Sequence, residues 1–317
     1  MPLPSPSPTM AVVFLLLALH LCAVFTGLGA FAFAWLCEFL AGVRKQMFLK
    51  KLAQQMSALG IMFLAYILTA TGGSMAVMYA RYPEFIRTWL DAPLLAVVPG
   101  AAILWLTLFG LVYALSWRGS KSNPGLHRTI GLLAAMGLPL VLAASLAVKL
   151  VAFGGLELPQ DGTTLVTALA IGLQSPFFAS LFTGAVFQAL TCAAGFGLVY
   201  LLIRRNRDDF GRDYYGFTVA HTALWAVLFA LPTAAAQAWA FTLATTLAPT
   251  SPNLELMVWL DYTGFGALLL ATVLWIMIRR SKNPLRMKPA ILLAALALLV
   301  SMAAFAAFNA GTFFALT

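Results

Sequence analysis

Few residues in this chain could do chemistry, and most of them lie inside long apolar segments. Of the 317 residues, 62% are hydrophobic and 9% are charged, and there are 3 histidines. His20 lies within LALHLCAV, where a neutral imidazole is a candidate axial ligand for haem iron. A histidine that hydrogen-bonds a neighbouring helix would give the same pattern. Both interpretations stay open on these residues alone.

Several other ionisable residues lie in or near the apolar segments, where such a group is a candidate for function. They are Glu38, Lys149, His221 and Asp261. For Asp261, a proton relay, an ion pair with Lys149 and a contact with a haem propionate remain alternatives. For His221 and Lys149 we favour structural roles, because an imidazole can bond a neighbouring helix and a lysine near a helix end can extend to the interface.

Two polar residues lie close to cationic segments. Glu38 precedes Arg44 and Lys45 by one or two helical turns, so we expect it to pair with them or to extend toward the interface. His127 lies next to Arg128, and we expect it to be solvated. The 3 cysteines lie in apolar segments and form no Cys-x-x-Cys-His motif, so neither covalent haem nor a metal cluster is expected.

The elements that position these residues are apolar windows long enough to cross a membrane. About 20 apolar residues in a helix span the ~30 Å hydrocarbon core of a bilayer. The windows lack a period of two, so they predict helices rather than strands of a barrel. We predict an all-α bundle of about eight transmembrane helices in a single domain over 1–317, after a short disordered tail at 1–10. The windows are 11–41, 53–80, 93–117, 129–153, 176–203, 214–242, 253–278 and 289–315.

The cations fix a predicted orientation, because loops rich in Lys and Arg stay on the cytoplasmic side. Sixteen of the 19 cations fall in alternate gaps between the windows, which places both termini outside the cytoplasm. The net charge of +9 is divided among small loops beside lipid, so nucleic acid is not an expected partner. The clustered cations are Arg44, Lys45, Lys50, Lys51, Arg118, Lys121, Arg128, Arg204, Arg205, Arg207, Arg212, Arg279, Arg280, Lys282, Arg286 and Lys288.

Three smaller features complete the predicted architecture. Residues 154–175 join a polar turn to a short apolar piece and predict a surface or re-entrant helix. Trp117, Tyr214 and Tyr215 lie near window ends, so we expect them in the aromatic belt at the interfaces. The stretch GAVFQALTCAAGFG is rich in Gly and Ala, which favours close packing against another subunit.

The spacing in the first window carries a family resemblance. His20 is followed nine residues later by Gly29 and eighteen residues later by Glu38. This pattern resembles the first helix of subunit I of the cytochrome bd-type quinol oxidases. Similar stretches recur along nearly the whole chain: APLLAVVPG opens the third window, Ser175–Pro176 opens the fifth, and ELMVWLDYTGFGALLLATVLWIMIRR forms the seventh.

The resemblance implies a haem site that is only partly present. It makes His20 an axial ligand in the pair of haems that reduces oxygen, and Met257 a ligand of the low-spin haem b. The family's second ligand to that haem, a histidine in the fifth helix, has no match; Gly184 is closest and Gln188 is one turn further on. The glutamates of the third and eighth helices are also absent, and the quinol-binding loop is reduced to about APTSPN.

These departures limit the predicted activity. We expect no full oxygen reduction by this chain alone, and we assign no catalytic residue. The expected function is that of a degenerate membrane subunit of a respiratory electron-transfer complex, in the bacterial inner membrane with membrane or periplasmic partners. In it His20 would hold one haem b, with Met257 a weaker candidate. The alternatives are a cofactor-free scaffold subunit, and a small-solute transporter whose path is lined by Asp261, Lys149 and His221.

Overall fold

The computed structural model describes residues 8–84, 93–153, 170, 173–208, 210–247 and 254–316. Within these ranges the regular secondary structure is helical, with eight long α-helices and two short 3-10 helices at Ser116–Lys121 and Pro284–Arg286. The α-helices are α1 Pro8–Arg44, α2 Met47–Arg81, α3 Pro93–Leu115, α4 Pro124–Phe153, α5 Pro176–Arg204, α6 Gly211–Leu247, α7 Leu254–Arg280 and α8 Lys288–Leu316.

The prediction of a polytopic helical membrane bundle is confirmed. All eight described helices are long and apolar enough to cross a membrane, and they correspond to the eight windows one by one. Several extend past their windows; α2 begins at Met47 and α6 at Gly211, since a helix can continue with polar residues outside the hydrocarbon. Helix α1 begins at Pro8, inside the predicted tail. The predicted helix at 154–175 lies mostly outside the described residues.

Local sequence explains where the helices start and stop. Proline is the first residue of α3, α4 and α5, a position where its missing N–H costs nothing. Arg44 and Arg204 lie in the last turns of α1 and α5, where positive charge offsets the negative end of the helix dipole. The cations that predict orientation therefore also stabilise the helix ends on that side, which we call the inner side.

Helix α1 lies at the centre of the bundle. It packs against α2, α4, α5 and α8, and its residues Ala30, Phe31, Phe33 and Ala34 are fully buried. The Phe31 ring is held between two glycines, because a Cβ at Gly60 of α2 or at Gly110 of α3 would come within 2.9 Å of it. Helix α2, in contrast, is largely exposed over its outer half.

Gly29 sets the closest approach of α1 to α5. A Cβ at this position would run into the backbone carbonyl of Ala189, which cannot move aside as a flexible side chain can. Ala189 lies in the Gly- and Ala-rich stretch of α5, where Cys192 and Ala193 are also fully buried. The small residues of this stretch therefore pack inside the bundle, which corrects our expectation that they face another subunit.

The predicted aromatic belt is wrong for the two tyrosines. Tyr214 and Tyr215 are buried. Both hydroxyls bond to the side-chain amide of Gln55, which can accept and donate hydrogen bonds. The Tyr214 hydroxyl donates to Gln55 Oε1 at 2.6 Å, and Gln55 Nε2 donates to Tyr215 Oη at 3.2 Å and to Asp208 Oδ2 at 3.0 Å. Trp117 also turns inward, since its Nε1 donates to a serine hydroxyl of α2 at 2.8 Å.

Replacing Gly29 with alanine should destabilise the bundle. The added methyl group has no free space against the Ala189 backbone, so we expect a loss of roughly 1–3 kcal/mol in the free energy of unfolding, as for other overpacked cores. Gly73→Ala is the matched control, because nothing lies within 4 Å of a Cβ at Gly73. Thermal unfolding of the purified protein in detergent measures both; equal melting temperatures for the two variants would contradict the close approach.

Candidate functional site

His20 lies on the face of α1 that meets α2. Its Nδ1 is 2.8 Å from the hydroxyl oxygen of Tyr66, and the two ring centroids are 5.7 Å apart. The imidazole is half-buried and Tyr66 is exposed. His20 therefore contacts a neighbouring helix through its Nδ1, as one of the two interpretations of this residue predicts.

Met257 lies elsewhere, in a small apolar cluster of its own. Its side chain is 3% exposed and packs with Phe177, Ala244 and Phe308. These residues belong to α5, α6, α7 and α8, and His20 is not among them. The thioether therefore acts in this structure as a packing group between four helices.

A cavity of about 330 Å³ lies between α1, α4, α5, α6 and α8, in the half of the bundle away from the inner side. We call it the outer cavity. Its walls are mainly apolar, and Gly184 and Gln188 of α5 are among the residues that line it. The other polar residues that line it are Lys149, Ser180, Gln237 and Asn309. Neither His20 nor Met257 is part of this lining.

Asp261 is hydrogen-bonded to Gln237, a residue that lines the outer cavity. The carboxyl group is fully buried, and Gln237 Nε2 donates to its Oδ1 at 2.8 Å. Oδ2 has no hydrogen-bond partner among the described residues. Lys149 and Gln237 both line the outer cavity, whereas Asp261 is not part of its lining.

His221 is occupied within its own helix. Its Nε2 accepts a hydrogen bond from Trp225 Nε1 at 2.9 Å, and its ring stacks on Phe217 with centroids 5.5 Å apart. The bond runs along α6 rather than to a neighbouring helix, and His221 does not line the outer cavity. The path predicted for a transporter, through Asp261, Lys149 and His221, is therefore not formed as one cavity.

The described residues do not fit a haem held between His20 and Met257. One imidazole nitrogen is bonded to Tyr66, the methionine is packed among phenylalanines, and the outer cavity is lined by neither residue. In the described part of the chain there is also no group of three or more His, Cys, Asp or Glu residues that could hold a metal ion. The geometry of these two residues therefore supports no reaction step through a shared haem.

Sequence reasoning missed a buried polar group that links three helices, which we call the inner cluster: Glu38, Tyr113 and His127. Glu38 Oε1 lies 2.8 Å from His127 Nδ1, and the Tyr113 hydroxyl donates to Glu38 Oε2 at 2.9 Å. Glu38 and His127 are each only 3% exposed. The cluster therefore joins α1, α3 and α4 near the inner side.

Two expectations are corrected by this cluster. Glu38 pairs with His127 rather than with Arg44 or Lys45, and His127 is buried rather than solvated. The reason is that α4 begins at Pro124, so His127 lies in its first turn and faces the bundle. The sequence Asn123–Pro124 is a helix-start signal, and the Asn123 side chain accepts from the Leu126 N–H at 3.1 Å. That signal could have placed His127 inside a helix.

The geometry of the inner cluster fixes a carboxylate, an imidazole and a phenol in one buried unit. The imidazole is enclosed by aromatic rings, with centroids 4.9 Å away for Tyr113 and 4.4 Å for Trp117. His127 Nε2 is buried without a hydrogen-bond partner among the described residues. Such a unit ties three helices together, because a buried carboxylate needs hydrogen-bond donors.

Comparison with known proteins identifies the fold. No family model and no curated protein matches the sequence. The structure of bd oxidase from Geobacillus thermodenitrificans is similar, with a TM-score of 0.72 at 13% identity, over 96% of this chain and 86% of that chain. The chain therefore has a bd-oxidase-like fold and is a multi-pass membrane protein. The resemblance predicted from the sequence is confirmed at the level of fold.

Removing the Tyr113 hydroxyl tests the inner cluster. Tyr113→Phe deletes one hydrogen bond to a buried carboxylate, so the free energy of unfolding should fall by about 1.5–3 kcal/mol. Tyr79→Phe is the control, because Tyr79 is 67% exposed. Denaturant unfolding in detergent measures both variants. If Tyr113→Phe were as stable as the control, the hydroxyl would not be bound to Glu38 as described.

Proposed function

We propose that this chain is a membrane subunit of a respiratory electron-transfer complex in the bacterial inner membrane, and that it serves there as a helical partner without a haem of its own. The observation that carries the proposal is the fold, which is similar to a bd oxidase chain over 96% of this chain. The residues nearest the missing fifth-helix histidine support the second part of the proposal, that the chain has no haem of its own. Gly184 and Gln188 line a small cavity where a haem ligand would be needed.

The packing of the outer half of α2 supports a role as a partner subunit. Gly72 and Gly73 lie in α2, and nothing lies within 4 Å of a Cβ built on either of them. Val77 and Tyr79 on the following turn are exposed. In a bilayer, small residues on an open helix face allow the close approach of another helix, which stabilises association through packing.

A haem b on His20 is a second candidate, and one contact favours it. The bond between His20 Nδ1 and Tyr66 Oη would orient the imidazole and leave Nε2 for a metal, as outer contacts of ligating histidines do. The outer cavity does not reach His20. His20 would hold the haem iron in this proposal, with Tyr66 orienting its imidazole.

Absorbance spectra distinguish the two proposals. The chain would be purified alone, and also as its native complex in mild detergent. We expect the isolated chain to be colourless and the native complex to show a reduced-minus-oxidised haem spectrum contributed by other subunits. A Soret band in the isolated chain that His20→Ala abolishes would replace the first proposal with the second.

Two controls make the spectra decisive. Tyr66→Phe keeps the His20 imidazole and removes only its hydroxyl partner, so a haem bound by His20 should persist with a shifted spectrum. Met257→Ala should leave any spectrum unchanged and lower stability, because Met257 packs in an apolar cluster. A native complex without any redox chromophore would contradict a role in electron transfer.

A further inference from the structure

A second cavity, of about 220 Å³, opens near the inner ends of α1, α2 and α4. We call it the cationic pocket. Cations from three different segments line it: Lys45 from the turn between α1 and α2, Lys50 from α2, and Arg128 from α4. Positive side chains that converge on one cavity from separate segments favour a bound anion, because they repel one another without it.

Arg128 packs against α1 at this cavity. Its guanidinium group lies against Gly42, where any Cβ would collide with it. Its Nε is buried and has no hydrogen-bond partner among the described residues. Gly42 therefore leaves room for the guanidinium group beside the pocket.

The single carboxylate among the residues lining the pocket is already engaged. Glu38 reaches the pocket from α1, but its two oxygens bond His127 and Tyr113. Its one negative charge is outnumbered by the three positive charges of Lys45, Lys50 and Arg128. The pocket therefore keeps a net positive character.

The N-terminal backbone of α2 also favours an anion in the cationic pocket. Helix α2 begins at Met47, and its N-cap residue Gln46 makes no side-chain bond to the first-turn N–H groups. Gln46 and Met47 both line the pocket. Free N–H groups and the positive end of a helix dipole favour an anion at this place. Lys45 adopts a left-handed backbone with φ of 51°, which turns the chain sharply between the two helices.

We propose that the cationic pocket binds a phosphate group. Its position at the helix ends of the inner side lies at the depth of lipid headgroups, where basic pockets between helices bind anionic phospholipids. The same chemistry would accept a soluble phosphate. This inference is independent of the proposed role in electron transfer.

Binding of phosphatidylglycerol to the delipidated full chain, followed by native mass spectrometry in detergent, tests the proposal. Phosphatidylcholine and inorganic phosphate are the comparison probes. Lys50→Gln and Arg128→Gln should each weaken phosphatidylglycerol binding about fivefold, and the double variant about 25-fold. Arg280→Gln is the control, because Arg280 is exposed at the end of α7 and does not line the pocket; it should change binding less than about twofold.

The probes separate the two sources of phosphate. Binding of phosphatidylglycerol that both pocket variants weaken, with no competition from inorganic phosphate, supports a lipid headgroup. Competition by inorganic phosphate that both variants abolish supports a soluble phosphate. Binding of phosphatidylglycerol that neither pocket variant weakens, or an equal loss in Arg280→Gln, would overturn the proposal. Lys50→Gln decides alone if Arg128→Gln does not fold, since Lys50 is half-buried at the rim.

Discussion

A buried carboxylate needs hydrogen-bond donors, and this constraint explains how α1 is placed. Glu38 lies on the most central helix and is buried, so its two oxygens need donors from other helices. His127 and Tyr113 supply them from α4 and α3. The inner cluster thereby fixes α1 against these two helices near the inner side, while Gly29 sets its distance from α5. The arrangement around both cavities depends on these contacts.

The described contacts that hold this bundle are packing contacts and buried hydrogen bonds. The bd-oxidase-like bundle is held by small residues, aromatic rings and buried polar bonds, and none of these contacts requires a haem. Function resides in sites carried by a fold rather than in the fold itself. Gly184 and Gln188 line the outer cavity, and neither supplies an imidazole there.

The helices could be predicted from sequence because apolar length and charge placement are local properties. The windows found all eight described helices, and the cationic gaps coincide with their inner ends. Partners across the bundle could not be predicted in the same way. Glu38 and His127 are 89 residues apart, and nothing near Glu38 in sequence distinguishes His127 from Arg44 as its partner. Tyr214 was misplaced for the same reason, since its partner Gln55 lies on another helix.

A double-mutant cycle on Glu38 and His127 tests the central claim most directly. The free energy of unfolding would be measured in detergent for the wild type, Glu38→Ala, His127→Ala and the double variant. If the two side chains bond as described, their effects are not additive, and we predict a coupling energy of roughly 1–3 kcal/mol. Additive effects, with a coupling below about 0.5 kcal/mol, would contradict the account.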